Sequence, residues 1–249
     1  MEVPGKIDRS SPIPYYYQLQ EILRSWMQND QLPAHTRIPS EAELGEQFDV
    51  SRTVIRQALR GLETEGLIYR VKGSGSFVAQ PKLRQQITQL GSFTEDMRTR
   101  GAEPGSRVLR QEMVPATEFV ARHLAVPSSF PVFFLQRVRY ADDEPLALEA
   151  AYVVFDGCEN LVEEDFRDRS LHRTLVKGYG IRPYQAEQEL EAALVRPQEA
   201  DWLGIERGAP VMVIQRLTSD DDLEPFEFVK SVYRADKYSF VAKLRAEPG

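Results

Sequence analysis

The sequence predicts an α+β chain in two parts: a three-helix unit closed by a β-hairpin, then an antiparallel sheet carrying helices. Three observations carry this. Before residue 66 the apolar residues recur at helical spacing between capping residues. Two short apolar runs then flank the Gly-rich turn Lys72–Gly75. Beyond residue 115 a helix-plus-hairpin pattern occurs twice.

The elements follow in order. Tyr16, Leu19, Ile22, Leu23 and Trp26 form the apolar stripe of a first helix, and Pro33 and Pro39 interrupt the pattern after it. Ser40 followed by Glu43 is a capping-box start, and the second helix carries Ala42, Leu44 and Phe48. Ser51 caps a third helix whose Val54, Ile55, Ala58, Leu59 and Leu62 are its buried side, with Gly66 as its stop. "LIYRV" and "SFVAQ" are the hairpin strands. Three helices with a tight turn before the third, followed by a hairpin, make a winged helix-turn-helix, whose third helix enters the DNA major groove. The domain reading is residues 1–79 for this unit, 80–91 for a polar linker, and 92–249 for the second unit.

Charge agrees with that reading locally. The 249-residue chain has a net charge of −7. Between Ser51 and Arg84, however, seven basic residues face two acidic ones. A phosphate backbone responds to the local field. Arg52 and Arg56 lie one turn apart, where guanidinium forks suit guanine edges or phosphates. An exposed pair balanced by Glu63 or Glu65 is the simpler alternative. The lone Cys158 and the lack of a signal-like start fit a cytoplasmic protein. No apolar run is long enough to span a bilayer, so no membrane partner is expected.

In the second part, Pro115/Pro197, Pro131/Pro210, Gln136/Gln215, Arg137/Arg216 and Pro145/Pro225 align as two copies, with Tyr152 against Tyr233 after one extra residue. Alternation in "VFFLQRVRY" puts Phe133, Leu135, Arg137 and Arg139 on one face. Two arginines beside apolar neighbours need a partner, either an acidic side chain such as Glu149 or Glu227 or a bound anion. Glu227, Ser231 and Tyr233 share a face suited to a hydroxylated ligand.

"RIPSEAELGEQFDVSRTVIRQALRGLETEGLIYRVKGSGSFVA" resembles the winged-helix domain of GntR-type bacterial transcription regulators. The resemblance implies DNA contacts by Arg37, Ser51, Arg52, Thr53 and Arg56, a phosphate contact at Ser40, and a wing tip at Gly73 and Gly75 with Lys72 beside them. "LGSFTEDMRTRGAEPGSRVL", "QRVRYADDEPLALEAAYV", "SLHRTLVKGYGI" and "FEFVKSVYRADKYSFVAKL" resemble the UTRA effector domain of the HutC branch. That implies a chorismate-lyase-like antiparallel sheet that senses a ligand without catalysis. The "SFTEDM" and Arg-x-Arg pattern is similar to regulators that sense N-acetylglucosamine 6-phosphate or related amino-sugar phosphates. By position, Ser92, Phe93, Thr94, Arg137, Arg139 and Ser170 match the phosphate site, and Glu149, Glu227 and Tyr233 the sugar. His172 stands where that branch usually has Tyr.

The expectation is a homodimeric repressor released from a palindromic double-stranded operator by a phosphorylated amino sugar, with no cofactor, no metal and no enzymatic step. His35, His123 and His172 lack metal-ligand spacing, and no nucleophile elbow or nucleotide fingerprint is present. The alternatives are a sensor of a carboxylate metabolite or an enzyme acting on sugar phosphates through Glu149 and Glu227.

Overall fold

The computed structural model describes residues 2–29, 32–71, 73–80, 82–87, 90–167 and 169–244. The chain divides into two compact units, Met1–Lys82 and Leu83–Gly249.

In the first unit, α1 (Tyr15–Asn29), α2 (Glu41–Phe48) and α3 (Arg52–Thr64) precede the antiparallel pair β1 (Ile68–Val71) and β2 (Gly75–Val78). The capping box at Ser40 forms in full, and the Ser51 hydroxyl accepts from the Val54 amide. Leu19, Leu23, Trp26, Leu44, Phe48, Ile55, Leu59 and Leu62 make one core with Ile68 and Val78 from the hairpin. Ala42 is outside it and exposed, because only Leu44 and Phe48 of α2, one turn apart, face the core, and Val54, expected on the buried side of α3, is only half-buried. Gly66, at φ +71°, ends α3 as expected. Gly61 brings α3 against α1, since a Cβ there would lie 1.7 Å from Gln20 Nε2. The segment before α2 also pairs with the hairpin, His35 and Ile38 amides donating to Val78 and Ser76 carbonyls.

The second unit is a six-stranded antiparallel sheet in the order β4-β5-β6-β9-β8-β7. Its strands are β4 (Pro104–Pro115), β5 (Pro131–Ala141), β6 (Glu144–Val153), β7 (Gln185–Leu194), β8 (Pro210–Ser219) and β9 (Pro225–Arg234). The duplication is visible as strand, helix, hairpin: β4, α5 (Glu118–His123), β5–β6, and again β7, α7 (Pro197–Leu203), β8–β9. The copies meet at β6 and β9, where Ala150 pairs with Lys230, separated in sequence by the same interval as Pro145 and Pro225. The alignment of Tyr152 with Tyr233 does not survive. Tyr233 pairs with Ala147 and Tyr152 with Phe228, so strand alternation puts the two tyrosines on opposite faces. Tyr152 packs against Phe134 behind the sheet.

The segment expected to be a linker contains a strand. β3 (Leu83–Gln86) runs parallel to β10 (Tyr238–Val241), and Pro81, Thr88 and Gln89 lie outside the described residues. Helix α4 (Phe93–Thr99) and the short helix α6 (Leu171–Thr174), which continues as a π-turn over Leu175–Tyr179, stand on the face bearing Arg137 and Arg139. A 3-10 turn, Cys158–Glu163, buries Cys158 as a small core residue.

Candidate functional sites

On the first unit, Ser51, Arg52 and Thr53 are exposed in the cap and first turn of α3. Their exposure follows from the helix period, because Ile55, Ala58, Leu59 and Leu62 take the buried side. Arg52, Arg60 and Arg37 have no ion-pair partner among the described residues, whereas Arg56 Nε lies 2.8 Å from Glu41 on α2 rather than pairing with Glu63 or Glu65. Glu63 instead holds Arg70 at 3.2 Å. Among the described residues, the two terminal nitrogens of Arg56 have no acceptor. Arg37 bridges to Phe77 of β2, and its guanidinium lies where a Cβ on Gly75 would come within 3.3 Å, so glycine there admits the arginine to the wing. Gly73, at φ +81°, turns the wing, and Lys72 lies outside the described residues. The Ser40 hydroxyl is held within its capping box by Glu43. His35 packs on Tyr69, its Nδ1 2.8 Å from the phenol oxygen, as a loop residue would.

On the second unit, Ser92, Phe93, Arg137, Arg139, Glu149, Ser170, His172, Glu227, Ser231 and Tyr233 surround one cavity. Thr94 stands behind it and accepts from Arg139 Nη2 at 2.8 Å. The sheet register explains the convergence. Arg137 pairs with Glu149, Glu149 with Ser231, and Ser231 with Ile214, so one row of like-facing residues crosses four strands. Ser92 and Ser170 arrive as the N-caps of α4 and α6.

The two arginines are almost completely buried, at 1% and 3% exposure. Arg137 binds Glu149 Oε1 through Nε and Nη2 and donates from Nη1 to the Arg169 carbonyl at 3.1 Å. Arg139 Nη1 reaches the same carboxylate oxygen at 3.3 Å, and its buried Nε has no acceptor among the described residues. Its guanidinium also lies over the Phe93 ring, 4.6 Å from the centroid. Burial and the neighbouring Arg137 bring Arg139 down to about 10. Burial would raise Glu149, but Arg137 and Arg139 hold its carboxyl at about 2. Burial and Glu149 push the Tyr233 phenol up to about 12, leaving it a neutral hydrogen-bond donor. His172 Nε2 lies 2.9 Å from Glu227 Oε2. Burial lowers the imidazole's pKa, but Glu227 outweighs it and the net shift is upward. Thr218 donates to the same Glu227 oxygen at 3.1 Å.

Sequence reading missed Arg216 and Gln85, which also line the cavity. A signal for Arg216 was present, because it is the repeat partner of Arg137. Three arginines against two carboxylates leave the lining cationic, more so with His172 protonated. The cavity volume is about 50 Å³, room for a few water molecules. Among the described residues no cluster of three His, Cys, Asp or Glu side chains has metal-site geometry, and no helix is long and apolar enough to cross a membrane.

A winged helix followed by a sheet unit with a cationic pocket defines the class: a DNA-binding regulator that answers a small molecule. The first unit matches the gntR family of bacterial regulatory proteins over residues 15–78, and the second matches the UTRA domain over residues 99–239. Over 235 residues the chain is 42% identical to the HTH-type transcriptional repressor NagR of Bacillus subtilis, covering 94% of this chain and 96% of that one. It is 32% identical over 208 residues to the histidine utilization repressor of Pseudomonas aeruginosa, covering 83% and 82%. The crystal structure of PhnF from Mycobacterium smegmatis matches with a TM-score of 0.66 at 29% identity, covering 94% of this chain and all of that one. The chain therefore belongs to the GntR family of bacterial transcription regulators, in the HutC branch that carries a UTRA domain.

Proposed function

We propose that the protein is a homodimeric repressor released from a palindromic operator by a phosphorylated amino sugar. The observation that carries the effector reading is the Arg137–Arg139 pair. Two buried guanidiniums share one oxygen of Glu149, and one buried N–H of Arg139 has no acceptor among the described residues. A phosphate entering beside them supplies acceptors and charge where the protein is short of both. Ser92, Thr94 and Ser170 add hydroxyls at that end, while Glu149 and Ser231 in the row, with Glu227 and Tyr233 on β9 to either side of Ser231, match sugar hydroxyls. The resemblance to the transcriptional repressor NagR supports the repressor reading.

Arg37, Ser51, Arg52, Thr53 and Arg56 form the DNA-reading face, with the wing at Gly73–Gly75 against the flanking backbone. A two-fold dimer requires two related half-sites. Parting of α4 and α6 by the ligand would shift the equilibrium between DNA-binding and released states, which takes about 1–3 kcal/mol of coupling. The cavity residues act by binding, and no catalytic step is assigned to them.

Thermal unfolding against a panel of hexose phosphates, amino-sugar phosphates and their unphosphorylated parents tests the reading. A ligand at 100 times its Kd adds about 2.7 kcal/mol of native stability. A response confined to phosphorylated sugars is expected. A response to carboxylate metabolites alone would replace the effector class and leave DNA binding untouched. Arg137→Ala is expected to keep operator affinity and abolish release, and a normal ligand response in that variant refutes the site.

A further inference from the structure

A cleft of about 430 Å³ opens on the sheet unit beside α6, and Ser170 is the one residue it shares with the effector cavity. Arg98 at the end of α4, Arg169 just before α6, Arg173 on α6 and Lys177 on the π-turn all line it, against the single carboxylate of Glu164 among the described residues. Arg169 pairs with Glu164 at 3.0 Å. Arg98, Arg173 and Lys177 are exposed and have no ion-pair partner among the described residues. Like charges gathered in one cleft repel one another, and an anion that enters turns the repulsion into attraction.

The backbone beneath this row is itself unusual. Helix α6 widens into the π-turn Leu175–Tyr179, a change of pitch that is rare and recurs at functional sites. Arg169, Arg173 and Lys177 are spaced four apart, and four residues overshoot an α turn but undershoot a π turn. The wider turn therefore keeps Lys177 in the row that Arg169 and Arg173 begin. At Gly178 a Cβ would meet nothing within 4 Å, so the cleft is open at that end. Thr174 adds a hydroxyl, and no aromatic or large apolar side chain lines the cleft among the described residues. Arg169 also reaches the other site, because its carbonyl accepts from Arg137 Nη1 at 3.1 Å.

A lone phosphate engages one or two such side chains. A row of three cations faced by Arg98 matches the longer and more highly charged diphosphate group, which presents oxygens to several of them at once. We propose that this cleft is a second anion site, separate from the effector cavity, that takes a diphosphate group and thereby ties α4 to α6. Arg98 supplies the contact from α4, and Arg173 and Lys177 supply those from α6 and its π-turn. The same two helices wall the effector cavity through Phe93 and through Leu171 and His172, so an occupied cleft stiffens that wall. Arg169, offered a second anion beside Glu164, carries the effect to the carbonyl that holds Arg137. With no apolar wall to hold a base, the diphosphate itself is recognised, whether free or at the end of a nucleotide.

The experiment is calorimetric titration of the full chain with sodium pyrophosphate, ADP and inorganic phosphate. Pyrophosphate and ADP are expected to bind alike, and inorganic phosphate roughly tenfold more weakly. A variant carrying both Arg173→Gln and Lys177→Gln, altered only at exposed positions, should lose roughly tenfold or more in pyrophosphate affinity. The control, Arg122→Gln with Arg182→Gln, removes the same charge from exposed positions outside the cleft and should change that affinity by no more than about twofold. If the wild type binds no pyrophosphate, if the cleft variant binds it as the wild type does, or if the control loses as much, the site falls while the effector cavity is untouched. Binding of ADP much tighter than pyrophosphate would overturn recognition of the diphosphate alone. Hydrogen exchange reads the tie between the helices without reference to any sugar. Pyrophosphate should slow amide exchange over residues 93–99 and 171–179 in the wild type and not in the cleft variant, and unchanged exchange in α4 overturns the tie.

Discussion

The two units use arginine in opposite ways. On α3, Arg52 is exposed and has no ion-pair partner among the described residues. In the sheet cavity, Arg137 and Arg139 are buried on a single carboxylate, and removing that carboxylate leaves two charges in a poorly solvating interior. The first is available to any phosphate that approaches. The second is available only to a ligand that replaces what Glu149 and the surrounding carbonyls provide. Under the proposed function, DNA reading and metabolite sensing would differ in where desolvation is met: at the moment of binding for α3, and during folding for the sheet.

The sharpest way to break this contrast is Glu149→Ala. Leaving Arg137 and Arg139 unpaired should destabilise the second unit by about 3–5 kcal/mol. Added phosphate should restore much more stability to the variant than to the wild type. Denaturant unfolding with and without phosphate measures both, and a loss under 1 kcal/mol would mean that the arginines are not held by Glu149. Arg52→Ala should leave stability unchanged and weaken operator binding by about 1–3 kcal/mol if the side chain reads a base. Equal losses on operator and random duplex would reduce it to a phosphate contact.

A pH titration separates the units further. The pKa of His172 is raised in the fold, so the stability from its pair with Glu227 is complete below the unfolded value near 6.5 and is lost as pH rises through the folded value. Glu227, Arg216 and Glu149 all act on that imidazole. Phosphate monoesters are already largely dianionic above pH ~6.5, so effector affinity should fall as His172 loses its proton, while operator affinity stays flat. His172→Tyr should remove the slope; an unchanged slope would place the titrating group elsewhere. The smallest effect expected is Ser51→Ala, which deletes the α3 cap at about 1 kcal/mol, measured as a lowered Tm of the first unit.

What the sequence revealed divides along the same line. The first unit was legible nearly throughout because its signals are local: the Ser40 and Ser51 caps, the Gly66 stop and the helical stripes each act within a turn or two. Ala42 escaped, since an alanine says little about which side of a short helix it occupies. In the second unit the local signals were thinner. β7 has a polar, exposed edge pattern, and β3 is four mostly polar residues paired with a strand at the other end of the chain. Neither announces itself by periodicity. The alignment of Tyr152 with Tyr233 failed by parity, because a one-residue shift along a strand reverses the face. Arg216 was seen as a repeat partner of Arg137, and the step from that equivalence to a shared cavity needed the order of the strands.

The parallel pairing of β3 with β10 has a practical consequence for anyone shortening or tagging this protein. Residues 238–241 clasp residues 83–86, so trimming the last dozen residues unfastens the chain where it leaves the first unit. A truncation made to aid crystallisation would therefore disturb the sensor at its threshold, although every residue of its cavity were still present.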